Sequence, residues 1–493
     1  MKRNFRLPKS LFFMAVFCSL MSFAKGEASH CSAKKFKTQT PIKYLVVIIP
    51  ENCSFDHLFG TYPRALNPLG EPCFRAKKNT PTVNGLTKAL FNHNTNASPP
   101  FRLDRSQAMT SEPAHHYTQL QQEAHGGLLD QFVQVNSDDI TSMGYYDGNT
   151  VTALWNYAQR FAMSDNCFST NMAPSTPGHV NLISGLTHGA IPSDLILGSG
   201  EIVTVDGTLI GDPDPVFDAC SKPPTVELTG RNIGNLLNEK NITWGYFQGG
   251  FGDCSKTHIG SNGLPVADYS PHHEPFQYYR STSNPNHLPP SSIENIGYQD
   301  QANHQYDLEN FWAAVNIHNT PAVSFIKPPA YQDGHPIYSD QLLFQFFLVN
   351  TLNRLQFLPE WKHMAVVVIW DDSGGWYDHV MPSIINQSHT SADALLSPGD
   401  AGNPPPGAYQ GRLGYGMRVP LLVISPYAKS NYVDHSLIDQ TSVLRFIEDN
   451  WQLGRIGDQS FDAVAGSLKN MFKFHSPHKD LLILQPETGL KKR

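Results

Sequence analysis

The stretch KYLVVIIP at residues 43–50 decides the fold, because it is short, rich in β-branched residues and almost continuously apolar. Such a run predicts a strand that is covered on both faces, which is typical of a parallel sheet. Glu51, Asn52, Ser54 and Asp56 follow it within six residues. The predicted strand therefore ends in a group of side chains that can bind a ligand or react.

A second run, HMAVVVIW at residues 363–370, has the same character and is followed directly by DDSGG at residues 371–375. Apolar residues at helical spacing from Asp340 to about Leu358 predict a helix before it, and residues 419–425 predict a third buried strand. These elements predict an α/β fold, in which a doubly wound and mostly parallel sheet is sandwiched by helices and carries long insertions.

Two polar clusters occupy the same structural position in this fold. Ligands of open α/β sheets bind beyond the carboxyl ends of the strands, where Glu51, Asn52, Asp371 and Asp372 all stand. Each pair alone also fits ordinary turn chemistry, but two such clusters on distant strands favour a shared site. Three carboxylates and an amide oxygen are hard ligands that would repel one another without a cation. We interpret these four residues as a candidate ligand set for a divalent metal.

The candidate nucleophile is Ser175, in the stretch MAPSTPGH at residues 172–179. Pro177 suits the first turn of a helix, and Ser175 or Thr176 suits its N-cap. A hydroxyl at a helix N-terminus faces free N–H groups and the positive end of the helix dipole, where a phosphoryl group would bind. A nearby metal would lower the pKa of the hydroxyl and let it attack phosphorus. A capped helix without a catalytic role is the alternative interpretation.

Histidine is frequent in this chain, with 21 residues, and several occur in short clusters. A histidine in a phosphoesterase site can bind phosphate oxygens or protonate the leaving alkoxide. Isolated histidines are more often structural, and spacing alone does not assign their roles. The clustered histidines are His115, His116, His272, His273, His335 and His379.

The N-terminus predicts a secretory signal peptide at residues 1–24, with a basic start, an apolar core, and Ser22 and Ala24 before the cleavage site. Its removal would take four positive charges and no negative ones, so the formal net charge would fall from −7 to −11. An acidic protein is not attracted to phosphate backbones, which argues against nucleic acid as a partner. We expect an exported protein, either periplasmic or extracellular.

The remaining chain is expected to form one catalytic domain at residues 43–480, between an N-terminal extension at 25–42 and a C-terminal tail at 481–493. Residues from roughly 191 to 271 are rich in Gly and Pro and are expected to be an insertion. The six cysteines left after signal cleavage would allow up to three disulfides in an oxidising compartment, in pairings that the sequence does not give. They are Cys31, Cys53, Cys73, Cys167, Cys220 and Cys254.

The motif ENCSFDHLFG at residues 51–60 resembles the opening motif of the bacterial phospholipase C and acid phosphatase family, part of the alkaline-phosphatase-like superfamily. Further motifs of that family occur in the same order between about residues 43 and 451. They lie at residues 143–146, 174–177, 272–276, 371–380 and 441–448.

This resemblance implies one divalent metal, with zinc favoured over calcium or manganese. It implies that Glu51, Asn52, Asp371 and Asp372 hold the metal, with the nucleophile Ser175 also at the metal. The family's phosphate-binding or acid histidines correspond to His115 or His116, His272, His273 and His335, and His379 belongs to a further motif. Many phospholipases of the family have Thr at position 175 and Pro-Asn-Arg after it. The Gly178-His179 of this chain is similar to the acid phosphatase branch and to certain zinc-dependent phospholipases C.

We therefore predict a secreted, metal-dependent phosphoric-ester hydrolase. Phospholipase C activity on phosphatidylcholine-type lipids through a serine nucleophile is preferred. The alternatives are an acid phosphatase acting on phosphomonoesters and a secreted binding protein that has lost catalysis. The expected partner is a phospholipid or a phosphomonoester, with peripheral contact to lipid, and the sequence leaves the oligomeric state open.

Overall fold

The computed structural model describes residues 33–492, so the predicted signal peptide and Cys31 lie outside the described residues. The strands are β1 (Tyr44–Ile48), β2 (Phe101–Arg102), β3 (Gly144–Tyr145), β4 (Ala162–Ser164), β5 (Cys167–Phe168), β6 (Ala190–Ile191), β7 (Leu195–Ile196), β8 (Ile202–Val205), β9 (Thr208–Leu209), β10 (Asp214–Pro215), β11 (Thr225–Leu228), β12 (Trp244–Gln248), β13 (Thr257–Ile259), β14 (Pro265–Ala267), β15 (Gln305–Asp307), β16 (Val323–Lys327), β17 (Met364–Ile369), β18 (Leu421–Ile424), β19 (Tyr432–Asp434) and β20 (Ile438–Asp439).

The α-helices of residues 33–492 occur singly or in pairs between or after these strands, and six strands, β6 to β11, follow one another without an α-helix. They are α1 (Phe55–Phe59), α2 (Lys88–Asn92), α3 (Tyr117–Ala124), α4 (Phe132–Val135), α5 (Thr152–Arg160), α6 (Ser175–Ile183), α7 (Ile233–Glu239), α8 (Leu308–Asn316), α9 (Gln341–Gln356) and α10 (Thr441–Trp451). None of the helices in residues 33–492 combines the length and the apolar character that a membrane crossing requires.

Eight strands form the central sheet, in the order β15-β12-β16-β1-β17-β18-β4-β19. All neighbours pair in parallel except β18, which runs antiparallel to both β17 and β4. Every residue of β1 and β17 is buried, as the continuous apolar runs predict. The predicted α/β fold with a mostly parallel sheet is confirmed. The helix predicted before β17 is α9, and the third predicted strand is β18, which runs antiparallel to its neighbours.

The segment expected to be an insertion is divided between two environments. Strand β12 lies inside the central sheet, between β15 and β16, so this part belongs to the main fold. Strands β6 to β11 and the hairpin β13–β14 form small sheets outside it. The Gly/Pro-rich composition concealed β12 because it describes the loops around the strand, whereas WGYFQ at residues 244–248 is itself an ordinary buried strand.

Among the described cysteines, one pair forms a disulfide, Cys220–Cys254. Cys53 and Cys167 are buried and unpaired, and Cys73 is exposed and unpaired. Two of the five described cysteines are thus core residues of a kind that burial alone explains. Within residues 33–492 one disulfide therefore forms, which is fewer than the upper limit of three.

Candidate active site

The carboxyl ends of β1 and β17 meet at one edge of the sheet, because the two strands are adjacent and parallel. The backbone N–H of Asn52 donates to Asp371 Oδ1 at 3.0 Å, and that of Cys53 donates to the carbonyl oxygen of Asp372 at 3.1 Å. Asn52 adopts a left-handed backbone conformation, with φ of 49°, which turns the chain at this point. These contacts bring Glu51, Asn52, Asp371 and Asp372 into one buried cluster.

Helix α6 adds Ser175, its first residue, to this cluster. Ser175 Oγ lies 3.1 Å from Glu51 Oε2, 3.1 Å from Asn52 Oδ1 and 3.2 Å from Asp372 Oδ2. The N-cap is Pro174 rather than the predicted Ser175 or Thr176. The five residues that the sequence singled out as ligands and nucleophile therefore converge in space.

The helix N-terminus offers fewer free N–H groups than the sequence suggested. The N–H of Thr176 donates to Asp212 Oδ1 at 2.8 Å, Pro177 has none, and the N–H of Gly178 donates to the Pro174 carbonyl at 3.3 Å. Phosphate recognition by a row of helix N–H groups, as expected for this helix, is therefore not built into α6. The side chains around Ser175 have to supply most of it.

Gly178 is what allows α6 to approach the sheet so closely. A Cβ at this position would lie 2.1 Å from the carbonyl oxygen of Asp371, far inside van der Waals contact. Any larger residue would push helix α6, with Ser175 on it, away from Asp371. Gly178 therefore has a direct steric reason in this chain, whereas His179 contacts Glu51.

The cluster is made almost entirely of acceptor oxygens. The Asn52 amide oxygen lies 2.8 Å from Glu51 Oε2 and 3.2 Å from Asp371 Oδ2, and rotating the amide by 180° would place its nitrogen there instead. The oxygen-inward orientation is repulsive unless a cation lies between these groups. Oxygen ligands of this number and charge fit a divalent metal ion, which is the ion that the sequence implied.

Two histidines determine which orientation of the Asn52 amide is satisfied. The Nδ1 atoms of His115 and His335 each lie 2.8 Å from a backbone carbonyl, so a neutral ring has its proton on Nδ1. The Nε2 lone pairs of both rings then face the Asn52 amide nitrogen at 3.2 Å. Neutral histidines therefore favour the amide with its oxygen towards the carboxylates, which is the orientation we adopt for the metal-bound protein.

The protonation of His115 opposes this arrangement when no cation is present. Burial lowers the pKa of His115, but the charges of Asp372 and Glu112 outweigh burial and raise it above its ordinary value. A protonated ring would donate to the amide oxygen and turn Asn52 over. A cation that neutralises the carboxylates favours the neutral ring, so metal binding and the oxygen-inward amide support each other.

The second carboxylate oxygen of Glu51 faces three cationic or donor groups. Glu51 Oε1 lies 2.7 Å from Lys327 Nζ, 3.0 Å from His179 Nε2 and 3.5 Å from His273 Nδ1. Burial alone would raise the pKa of Glu51, but these neighbours hold it well below its ordinary value. Glu51 is therefore ionised, with Oε1 held by protein groups and Oε2 left for the Ser175 side.

The two aspartates behave in the opposite way. Burial, together with the charges of Glu51 and Asp372, raises the pKa of Asp371 well above its ordinary value. Burial raises the pKa of Asp372 to about 7, although the nearby His115 lowers it. Without a cation Asp372 therefore takes up a proton near neutral pH and Asp371 binds a proton more readily than an ordinary aspartate, so a metal ion would have to displace these protons.

Carboxylates pair with the histidines around the cluster. Glu112 Oε1 lies 3.7 Å from His115 Nε2 and 3.6 Å from His335 Nε2. His116 Nδ1 lies 3.2 Å from Glu201, and His272 Nδ1 lies 3.7 Å from Asp214. We call these four histidines (His115, His116, His272 and His335) the mouth histidines.

Comparison with known proteins identifies the family. A family model described as the phosphoesterase family matches residues 42–454, most of the chain. The chain belongs to the phosphoesterase family. It is therefore a phosphoric ester hydrolase, as the motifs predicted.

Curated relatives of this phosphoesterase include bacterial phospholipases C. Phospholipase C B of Mycobacterium tuberculosis is 25% identical, over 89% of this chain and 79% of the relative. Non-hemolytic phospholipase C of Pseudomonas aeruginosa is 24% identical, over 91% of this chain and 59% of the relative. Non-specific phospholipase C6 of Arabidopsis thaliana is 22% identical, over 85% of this chain and 67% of the relative.

Solved structures resemble the chain more weakly. Murine ectonucleotide pyrophosphatase/phosphodiesterase 5 matches with a TM-score of 0.31 and 10% identity, over 66% of this chain and 95% of the other. A protein of the alkaline phosphatase superfamily from Vibrio parahaemolyticus matches with a TM-score of 0.29 and 12% identity, over 72% of this chain and 74% of the other.

The histidines predicted from the sequence fall into different positions in this phosphoesterase. His115 contacts Asn52, and its neighbour His116 does not. The structure thus distinguishes two adjacent histidines between which the sequence left the choice open. His272 is partly exposed at the mouth, whereas His273 is buried against Glu51. His379 lies in an ion cluster, where its Nδ1 is 2.5 Å from Asp56 Oδ2 and Arg418 also pairs with Asp56.

Sequence reasoning missed two residues at the centre of the site. Lys327 is the last residue of β16, the strand on the other side of β1, so the rule that identified Glu51 and Asp371 also points to it. His179 lies four residues after Ser175 on α6 and therefore on the same helix face. Both are fully buried, and both contact Glu51.

Proposed function

We propose that this phosphoesterase is a metal-dependent phospholipase C with Ser175 as its nucleophile. The supporting observation is the environment of Ser175 Oγ, which has three acceptor oxygens within 3.2 Å. A hydroxyl has one hydrogen and can donate to only one of them. A cation bound by Glu51, Asn52, Asp371 and Asp372 accounts for the remaining acceptors and for the direction in which Oγ points.

A bound divalent metal would supply Lewis-acid stabilisation of the serine alkoxide and of the phosphoryl oxygens. The protein's own contribution is to position the reacting oxygen. Gly178 lets α6 lie against Asp371, and the cluster around Lys327 fixes Glu51, so Ser175 Oγ is held in one place. In-line attack by this oxygen on phosphorus breaks the bond to the diacylglycerol oxygen, so diacylglycerol leaves as an alkoxide and Ser175 holds the phosphorylated head group as a phosphodiester.

His272 is the proposed proton donor to that alkoxide. Its carbonyl accepts from Thr176 Oγ1 at 3.4 Å, so the residue lies beside the nucleophile, and its ring is partly exposed. Burial lowers the pKa of His272, but Asp214 and Asp212 outweigh burial and raise it. A protonated His272 can give its proton to the leaving oxygen and later accept one from the water that hydrolyses the serine phosphodiester.

The charges at the mouth support a phosphodiester over a phosphomonoester. The ionic partners of the mouth histidines are Glu112, Glu201 and Asp214, and Asp212 lies near by. A dianionic monoester would have to approach these carboxylates, whereas a monoanionic diester with a cationic head group would be attracted by them. The relatives named phospholipase C favour the same choice.

Two measurements test the proposal. Ser175→Ala should abolish release of diacylglycerol from phosphatidylcholine while metal content and melting temperature stay near wild type. Ser193→Ala, at an exposed serine, is the matched control. Near-normal turnover by Ser175→Ala would remove Ser175 from the mechanism. Faster hydrolysis of a soluble aryl phosphate than of phosphatidylcholine would favour the acid phosphatase alternative.

The N-terminal sequence supports export as part of this proposal. The basic start, the apolar core and the small residues before residue 25 are those of a cleaved signal peptide. N-terminal sequencing of the protein from culture fluid or periplasm should begin near Lys25. An intact N-terminus on an intracellular protein would contradict export.

A further inference from the structure

The hairpin β13–β14 presents aliphatic side chains to solvent. Ile259 is 61% exposed and Leu264 is 62% exposed, on either side of its turn. Residues 257–267 contain no Asp, Glu, Lys or Arg, and the hairpin lies outside the central sheet. Single exposed apolar side chains are common on protein surfaces, but several of them grouped beside one site mark an interaction surface.

Backbone hydrogen bonds connect this hairpin to the active site. The N–H of Ser261 donates to the Tyr338 carbonyl at 3.0 Å, and Gly260 leaves no room for a Cβ at that contact, which would lie 2.3 Å from the same oxygen. The Tyr338 ring stacks on His335, with centroids 4.5 Å apart. The hairpin is therefore held against the loop that carries one of the mouth histidines.

The same loop carries a strained and exposed residue. Ile337 has φ of 69°, a left-handed conformation that is uncommon for a β-branched residue, yet its side chain is 45% exposed. Its N–H donates to the Thr110 carbonyl at 3.1 Å, next to Met109, which is 49% exposed. A strained backbone that holds an apolar side chain in water beside the candidate site supports a functional role for that side chain.

We propose that Met109, Ile259, Leu264 and Ile337, here called the apolar rim, dock the protein onto a zwitterionic phospholipid surface. The proposal rests on the proposed lipid substrate and names the surface through which that substrate would be reached. The rim borders the mouth at His335, so a lipid layer in contact with it would deliver its head groups to the site. A protein bound in the same place would obstruct that entrance.

Charge identifies the kind of lipid surface. The segments at residues 108–111, 257–267 and 335–339 contain no charged Asp, Glu, Lys or Arg, and the whole chain has a formal net charge of −7. An anionic membrane would repel such a protein, and the rim offers no basic cluster to overcome the repulsion. A zwitterionic surface allows burial of the aliphatic side chains without a charge partner.

Vesicle binding without turnover tests the rim. Ser175→Ala protein is sedimented with phosphatidylcholine vesicles, alone and with the added changes Ile259→Ser and Leu264→Ser. The matched control carries Leu66→Ser and Leu69→Ser, at aliphatic residues that are at least as exposed but lie in another loop. We expect the rim variant to bind vesicles about tenfold more weakly or worse, and the control to bind like its parent.

Ile337→Gly provides an independent variant, because glycine relaxes the left-handed backbone. We expect it to bind vesicles more weakly while its melting temperature stays unchanged or rises. In protein that keeps Ser175 intact, the Ile259→Ser, Leu264→Ser variant should hydrolyse a monomeric short-chain phosphatidylcholine at the wild-type rate. It should hydrolyse phosphatidylcholine in vesicles more slowly.

Three results would overturn the proposal: a parent that does not sediment with vesicles, an equal loss in the control, or rim-dependent self-association seen by gel filtration. The failure of the proposed function would look different. A protein whose rim binds vesicles but which hydrolyses only monoesters would keep the apolar rim and refute the phospholipase assignment.

Discussion

Replacing Gly178 by alanine should separate the nucleophile from the metal ligands. The added Cβ would lie 2.1 Å from the Asp371 carbonyl oxygen, whereas ordinary contacts are 3.4 Å or longer, so α6 or Asp371 has to move by more than 1 Å. Asp371 cannot yield easily, because its carbonyl also accepts from the Gln440 side chain. We therefore expect α6 to shift and to carry Ser175 Oγ away from the cluster.

The magnitude follows from this displacement. Misplacement of a reacting group by about 1 Å costs about a hundredfold in turnover. Overpacking in a buried contact costs about 1–3 kcal/mol of stability. Because Ser175 and Asp371 both border the proposed metal site, the affinity for metal should fall as well.

The assay compares Gly178→Ala with Gly198→Ala, where an added Cβ meets nothing within 4 Å. Turnover of phosphatidylcholine, metal affinity by competition with a fluorescent chelator, and melting temperature are measured for both variants. The control should resemble wild type in all three. Wild-type metal affinity and turnover in Gly178→Ala would refute the view that close approach of α6 to Asp371 builds the site.

Three further predictions concern the charged and titratable groups of the site. Lys327→Met leaves Glu51 without its nearest cation, so the free energy of unfolding, measured in urea, should fall by about 3–5 kcal/mol. The control Lys256→Met removes an exposed lysine and should cost under about 1 kcal/mol. An equal small loss in both variants would contradict the role of Lys327. The affinity for metal, measured as a function of pH, should be highest above about pH 7 and should fall as the pH drops. The reason is that Asp372, with a pKa of about 7, binds a proton at lower pH, and this proton competes with the metal. A flat profile from pH 5 to 8 would contradict this. His272→Asn should slow hydrolysis of an alkyl phosphodiester by about 10²–10⁴-fold. Hydrolysis of a p-nitrophenyl ester should slow much less, because p-nitrophenolate leaves without a proton. Equal losses with both substrates would exclude His272 as the acid.

The framework of the fold and the centre of the site were predictable from local sequence. The runs at residues 43–50 and 363–370 are apolar on both faces, so their place in a mostly parallel sheet and the position of Glu51 and Asp371 after the strands follow from the sequence, whereas the direct pairing of the two strands is seen only in the structure. The reversed direction of β18 was not predictable, because a buried apolar run looks the same in either direction.

The residues that support the centre were harder to find. His179 lies on the face of α6 that carries Ser175, but a histidine in an apolar helix usually has a structural role. The choice between His115 and His116 depends on which ring reaches Asn52, a contact across 63 positions that spacing does not encode. The Cys220–Cys254 pairing likewise depends on tertiary contact.

Metal content tests the central claim most directly. Elemental analysis of the purified protein should give one divalent metal ion per chain for wild type and for Ser193→Ala, and none for the Asp371→Asn, Asp372→Asn double variant. The double variant should remain folded, because the substitutions remove like charges that repel one another in the metal-free cluster. A wild-type protein without metal, or a folded double variant that keeps a full equivalent, would contradict the account.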